Sequence, residues 1–302
     1  MRRSERQALM QNFATDDGTV IHVRILGQGM PIVLLHGWTS SHQEWLPFGK
    51  SLADRHQVFC WDARGHGASL AQDPPTVKRM ARDLQQLISH YDLQRPLLMG
   101  HSMGALTVWE YIRQFGCAGL GGICIIDQSP RLLTDADWRL GIYGDFSAAR
   151  NHAFTEELKE DFAEAVLRFA AAGLNARFTS SYQRNSVGCQ MLRQYLQTLD
   201  TEPLIGCWES LSQSDYRAVL PTITVPTLLI YGAESTFYTL ETAHYVRDHI
   251  SGAVLKVYED TDHSPHLWQP ERFIEDLRMF VSASATAGET LHNPSPGNTD
   301  KN

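Results

Sequence analysis

The chain contains no apolar run approaching the roughly 20 residues that a bilayer-spanning helix needs. That removes a membrane-spanning role from consideration. It is also short of positive charge, with 26 Lys and Arg against 34 Asp and Glu and a formal net charge of −8. The basic residues are scattered, and no run of them is longer than Arg2-Arg3. Nucleic acid and anionic membrane surfaces both require a basic face, so neither is expected as a partner. Cysteine is scarce: Cys60, Cys117, Cys124, Cys189 and Cys207 are odd in number and spread along the chain. No two have metal-ligand spacing, so neither a disulfide framework nor a cysteine metal centre is implied. Cys60 and Cys124 sit in apolar runs and read as small core residues in a reducing compartment. The charged start Met1-Arg2-Arg3-Ser4-Glu5-Arg6-Gln7 lacks the apolar stretch of a secretory signal. The expectation is a soluble, cytoplasmic protein without internal repeats.

What is present is enough apolar material, 43% of 302 residues, for one large domain or two small ones. Apolar runs of strand length recur. Val20–Leu26 alternates and reads as an early, antiparallel strand. Pro31–Leu35, Gln57–Trp61, Pro96–Met99, Gly121–Ile126, Thr227–Tyr231 and Val254–Tyr258 are near-continuous apolar segments. Helical patterns lie between them: Trp45–Leu52, and Val77–Tyr91 with Met80, Leu84, Leu87, Ile88 and Tyr91 on one face. Strands alternating with helices predict a mostly parallel sheet covered on both faces. Ligands bind such sheets beyond the carboxyl ends of the strands.

The stretch 132–220 breaks the alternation. It reads as an inserted helical cap, with Thr155-Glu156-Glu157 starting a helix and Phe162, Ala165, Val166 and Phe169 on a shared face. Another helix is expected through Met191, Leu192, Tyr195 and Leu196. The core is then 1–131 with 221–281. The tail 282–302 is rich in Ser, Ala, Gly, Asn, Pro and Thr, and is expected to be disordered.

One pentapeptide carries more information than the rest: Gly100-His101-Ser102-Met103-Gly104. It stands between a buried strand and the helical Ala105–Ile112, the setting of a nucleophile elbow. A turn from strand to helix within a few residues strains the serine backbone and crowds its neighbours, so glycine fits two places either side. The serine oxygen then lies at a helix N-terminus, where free N–H groups favour a developing oxyanion. A nucleophilic serine needs a base and a group that orients the base. His263 follows the last strand in Asp262-His263-Ser264-Pro265, on the same sheet edge as Ser102. His266, one helical turn on, is its rival.

With His36-Gly37-Trp38, Arg64-Gly65-His66-Gly67, the Ser102 pentapeptide and Asp262-His263-Ser264-Pro265, the chain resembles the α/β-hydrolase fold family from about Asp17 to Val281. The resemblance implies an eight-stranded, mostly parallel sheet with helices on both faces and an inserted helical cap. It implies Ser102 as nucleophile, His263 as base, and the backbone N–H groups of Trp38 and Met103 as oxyanion hole. It implies no metal and no organic cofactor. Family members most often carry the acid three residues after a glycine that follows the penultimate strand. Here that slot holds Ser235, in Tyr231-Gly232-Ala233-Glu234-Ser235. Asp127, the first polar residue off the strand beside that of the serine, and Glu234 are the two candidates, and a rigid strand end favours Asp127. Asp127 could instead cap the first cap helix.

The expected activity is hydrolysis of a small or medium carboxylic ester, lactone or thioester through an acyl-enzyme. The substrate is a small molecule with an apolar acyl or alkyl group, walled by some of Trp38, Trp45, Met103, Trp138, Tyr143, Phe146, Phe169 and Trp208. The same residues would also serve a cofactor-free perhydrolase or haloperoxidase, an acyltransferase, or a small-molecule receptor that keeps its triad without turnover. Halide release is disfavoured, because relatives that perform it place Asp where this chain has Ser102.

Overall fold

The structure, a computed structural model, describes residues 9–290. In chain order the main elements are β1 (Leu9–Ala14), β2 (Val20–Gly27), β3 (Met30–Leu35), α1 (Leu46–Leu52), β4 (His56–Trp61), α2 (Val77–His90), β5 (Leu97–His101), α3 (Met103–Phe115) and β6 (Gly122–Ile126). Then come α4 (Ala148–Glu160), α5 (Phe162–Ala171), α6 (Ala176–Gln183), α7 (Val187–Leu196), α8 (Thr201–Ser212), β7 (Thr227–Gly232), α9 (Leu240–His249), β8 (Val254–Tyr258), α10 (Pro265–Trp268) and α11 (Pro270–Thr290).

The strands form one eight-stranded sheet in the order β1-β2-β4-β3-β5-β6-β7-β8. β2 pairs antiparallel with both β1 and β4, and every other pairing is parallel. The apolar runs become strands because side chains alternate between two buried faces. Ile32, Leu34, Val58, Cys60, Met99 and Ile126 pack against Trp45, against Phe48 of α1, and against Phe273 and Leu277 of α11. Val33, Leu35, Phe59, Leu98 and Ile125 pack against α2 and α3 through Met80, Leu84, Leu106 and Val108. Chain order reverses direction across the sheet between β3 and β5, which pair directly. This is the switch point at which a crevice opens beyond the strand ends.

Helices α4–α8 intervene between β6 and β7. The excursion is tied at its neck, where Arg131 and Asp215 form an isolated antiparallel bridge and Tyr216 N–H donates to Pro130 C=O at 2.8 Å. One cap expectation needs correction. Thr155 does not start a helix; it lies inside α4, and its hydroxyl donates back to Asn151 C=O at 2.9 Å. The caps are Ser147, which accepts from Arg150 N–H, and Asp161, which accepts from Glu164 N–H and begins α5. The tail expectation is also corrected in part. α11 continues through Thr290, well past Val281, while 291–302 lies outside the described residues. β1 is an element that the sequence reading lacked. Among the described residues no helix is long and apolar enough to cross a membrane.

The junction of β5 with α3 shows why glycine is needed there. A Cβ on Gly104 would stand 2.2 Å from the carbonyl oxygen of Leu35, and one on Gly100 would stand 2.3 Å from the carbonyl carbon of Gly104. Both obstacles are backbone, so β3, β5 and α3 would have to separate. Gly104→Ala is expected to lower unfolding free energy by about 1–3 kcal/mol, read by chemical denaturation. Unchanged stability would show that α3 does not rest on β3 as described.

Candidate active site

Three chain turns gather at the carboxyl ends of adjacent strands β3, β5 and β6, and a fourth arrives from β8. Ser102 is the single residue between β5 and α3, with φ 51° and ψ −114°. Its backbone is held by an N–H bond to Ile126 C=O at 3.2 Å. Met103 opens α3, so its N–H has no partner within the helix. Among the described residues neither Met103 N–H nor Trp38 N–H donates to another protein group. The N–H next to Trp38, that of Gly37, is occupied by Glu44 Oε2 at 3.2 Å. Two free amides thus flank the turn that carries Ser102.

Asp127 follows β6 with φ 45° and is fully buried. It caps no helix; the first cap helix begins at Ser147. Its Oδ2 accepts from Gly232 N–H at 3.2 Å, and its Oδ1 accepts from the Ser235 hydroxyl at 2.9 Å. The same Oδ1 lies 3.6 Å from His263 Nδ1, which is otherwise buried without a hydrogen-bond partner. Glu234 sits elsewhere: its half-exposed side chain pairs with Arg177 at 2.9 Å. The residue in the family's usual acid slot, Ser235, therefore supports the carboxylate of Asp127. The structure brings Asp127 and not Glu234 to His263.

His263 is fixed from several sides. Asp262 Oδ1 accepts from Ser264 N–H at 2.8 Å and shapes the turn. Phe237 meets the imidazole edge-on at 4.7 Å between ring centres, and the His101 ring lies 5.0 Å away. His266 takes no place at the cavity. It is buried against Trp45 at 4.9 Å and bonds to Glu44, and burial pushes it down to about 4. Sequence reasoning missed Glu44, which reaches both His101 and His266. Its place in the polar run Thr39–Glu44 gave no signal of burial.

Ser102, Met103, Trp38 and His263 open on one cavity of about 610 Å³. Phe169, Trp208, Phe237, Leu132, Leu196 and Leu211 are among the apolar residues around it, and among the described residues no Lys or Arg lines it. Trp45, Trp138, Tyr143 and Phe146 do not reach this wall. Trp45 packs under the sheet edge, and Trp138 Nε1 donates to Arg131 C=O at 3.0 Å. Phe146 and Tyr143 stand behind Phe169, with ring centres 5.3 and 5.4 Å from it.

The chain is similar to proteins of known activity. It is 26% identical to a pimeloyl-[acyl-carrier protein] methyl ester esterase of Vibrio vulnificus, over 87% of this chain and 98% of that protein. It is equally similar, at 26%, to a non-heme chloroperoxidase of Kitasatospora aureofaciens, over 89% of this chain and 98% of that one. Among solved structures it superposes on an esterase from Exiguobacterium antarcticum with a TM-score of 0.79 at 24% identity, covering 91% of this chain and all of the other. A bromoperoxidase from Bacillus anthracis gives a TM-score of 0.78 at 22% identity, over 91% of this chain. A family model described as alpha/beta hydrolase fold matches residues 30–270. With that match over most of its length, the chain belongs to the alpha/beta hydrolase fold family.

Proposed function

We propose that the protein is a serine hydrolase of neutral carboxylic esters, lactones or thioesters with an apolar acyl part. The observation that carries this reading is that Ser102 and His263, far apart in the chain, line one largely apolar cavity beyond the strand ends, with Asp127 3.6 Å from the His263 imidazole. The Ser102 hydroxyl attacks the acyl carbon while His263 takes its proton. Asp127 orients the imidazole and stabilises its charged form. The 3.6 Å separation of His263 Nδ1 from Asp127 Oδ1 closes by a small ring movement when substrate is bound. The N–H groups of Trp38 and Met103 receive the developing oxyanion. His263 then protonates the leaving group, and water, activated by the same imidazole, releases the acyl chain. No step calls on a cofactor. The five buried free thiols support work in a reducing cytoplasm.

The wall chemistry selects among esters. Each methylene moved from water to such a wall gains about 0.8 kcal/mol. Among the described residues an ionised carboxylate on the substrate would find no Lys or Arg there, and the His101 imidazole is already paired with Glu44. A substrate charged on its acyl part is therefore a poor fit. The likeness to a chloroperoxidase supports a second reading of the same residues, in which hydrogen peroxide replaces water and the acyl-enzyme yields a peracid.

A fluorophosphonate probe should label the protein at Ser102, and Ser102→Ala should lose labelling and lower ester turnover on the order of 10⁶-fold. Undiminished turnover in Ser102→Ala would overturn the reading. Across p-nitrophenyl esters of graded length, Phe169→Ala should shift the preference in kcat/KM toward longer acyl chains by about tenfold. An unchanged profile would remove Phe169 from the acyl wall. Peracid formed from ester and peroxide, measured by bromide oxidation, tests the second reading.

A further inference from the structure

Two residues that line the cavity, Glu44 and His101, belong to a set of groups that the reaction above does not use. Glu44 Oε1 is 2.9 Å from His101 Nδ1 and 3.1 Å from His266 Nε2, and Glu44 Oε2 accepts from Gly37 N–H at 3.2 Å. The other nitrogen of His101, Nε2, is 3.0 Å from the backbone carbonyl oxygen of His263. All three side chains are 7% exposed or less.

Elementary hydrogen-bond chemistry fixes the protons. A carboxylate oxygen and a carbonyl oxygen only accept. With Glu44 ionised, both nitrogens of His101 face such atoms, so both carry protons and the ring is an imidazolium. Burial alone would push His101 down, but the Glu44 carboxylate beside it holds it above the ordinary histidine value. Burial would likewise push Glu44 up, yet the charge and hydrogen bond of His101 and the bond from His266 keep it well below the usual carboxylate range. His266 donates through Nε2 and stays neutral; its Nδ1 is buried without a partner. The pair Glu44–His101 is then one negative and one positive charge, neutral together.

We propose that Glu44 and His101 are positioning residues: a buried carboxylate–imidazolium pair, buttressed by His266, that holds the oxyanion-hole loop, the nucleophile turn and the base loop in register. Glu44 holds Gly37, next to Trp38. His101 is next to Ser102 in the chain and holds the backbone of His263. One ion pair thereby links three turns that arrive from β3, β5 and β8, and none of its atoms exchanges bonds with substrate. This rests on the reading of Ser102 and His263 as nucleophile and base.

The pair itself is tested first, without reference to turnover. In uniformly 15N-labelled protein, both ring nitrogens of His101 should resonate as protonated at neutral and mildly alkaline pH, in wild type and in Ser102→Ala alike. In Glu44→Gln one of them should lose its proton. A singly protonated His101 in the wild-type protein would overturn the proposal, even with the serine mechanism intact. So would a stoichiometric transition metal in the purified protein by elemental analysis, because the same three atoms would then be its ligands.

Kinetics supply the second arm. Glu44→Gln should lower kcat by about 100-fold with KM nearly unchanged, and should slow fluorophosphonate labelling in parallel. His101→Gln should do the same, and the double variant should lose no more than either single one. A change confined to KM, or additive losses, would overturn the positioning role. If Ser102→Ala retains turnover while His101 is doubly protonated, the serine reading fails and the ion pair stands.

Discussion

Between β5 and α3 the backbone turns at a single residue, and the rest of the site is arranged around that turn. Ser102 sits at φ 51° and ψ −114°, a conformation that costs an L residue on the order of 1–3 kcal/mol. It persists because the surroundings leave no alternative. β3 presses on α3 at Gly104, and the Ser102 amide is bound to β6. The strain is offset by the packing of β3, β5, β6 and α3 rather than relieved locally. In return the hydroxyl projects from a rigid point at the sheet's switch position, beside amides that the helix start leaves free.

The placement of the acidic group follows from the same sheet geometry. Ser102 and Asp127 leave adjacent parallel strands in register, His101 opposite Ile126. A carboxylate there is carried by a buried strand end and needs no loop of its own to stiffen it. In the segment after β7, Ser235 donates to Asp127 Oδ1. Gly232 N–H, at the end of the same strand, takes the other oxygen. A buried carboxylate without such donors would incur a large desolvation cost. Both oxygens of the buried Asp127 carboxylate are thus met by donors from the segment that begins at the end of β7.

Much of this was legible in the sequence because it depends on local chemistry. The pentapeptide around Ser102 and the position of His263 after the last strand need only spacing and element order. The choice between Asp127 and Glu234 was open because it turns on side-chain direction. Arg177, from the cap, draws Glu234 to the surface, and no local pattern reports that pairing. Glu44 was illegible for a stronger reason. Its burial is made by His101 and His266, which are 57 and 222 residues distant in the chain. The helix start expected at Thr155 failed on a related ambiguity. Thr155 followed by two acids looks like a helix start, but its hydroxyl folds back onto Asn151 inside α4, while Asp161 stops that helix and begins the next.

The charges around the cavity complete the physical account. Its walls are apolar, so fixed charges and dipoles act there with little screening by water. In such a medium an unbalanced ion pair near Ser102 would bias every step of acyl transfer. Glu44 and His101 cancel each other at hydrogen-bond distance, and His266 adds a neutral donor. Beyond that pair, Asp127 lies 3.6 Å from the His263 imidazole, and among the described residues the amides of Trp38 and Met103 donate to no protein group. In the serine mechanism proposed above, charge separation in the transition state would be met at both ends, and the Glu44–His101 pair adds a dipole but no net charge. The aromatic residues of α5 and α8 that enclose the cavity carry none of this burden. Phe169 and Trp208 can therefore change with substrate while the strand-end chemistry beneath them stays fixed.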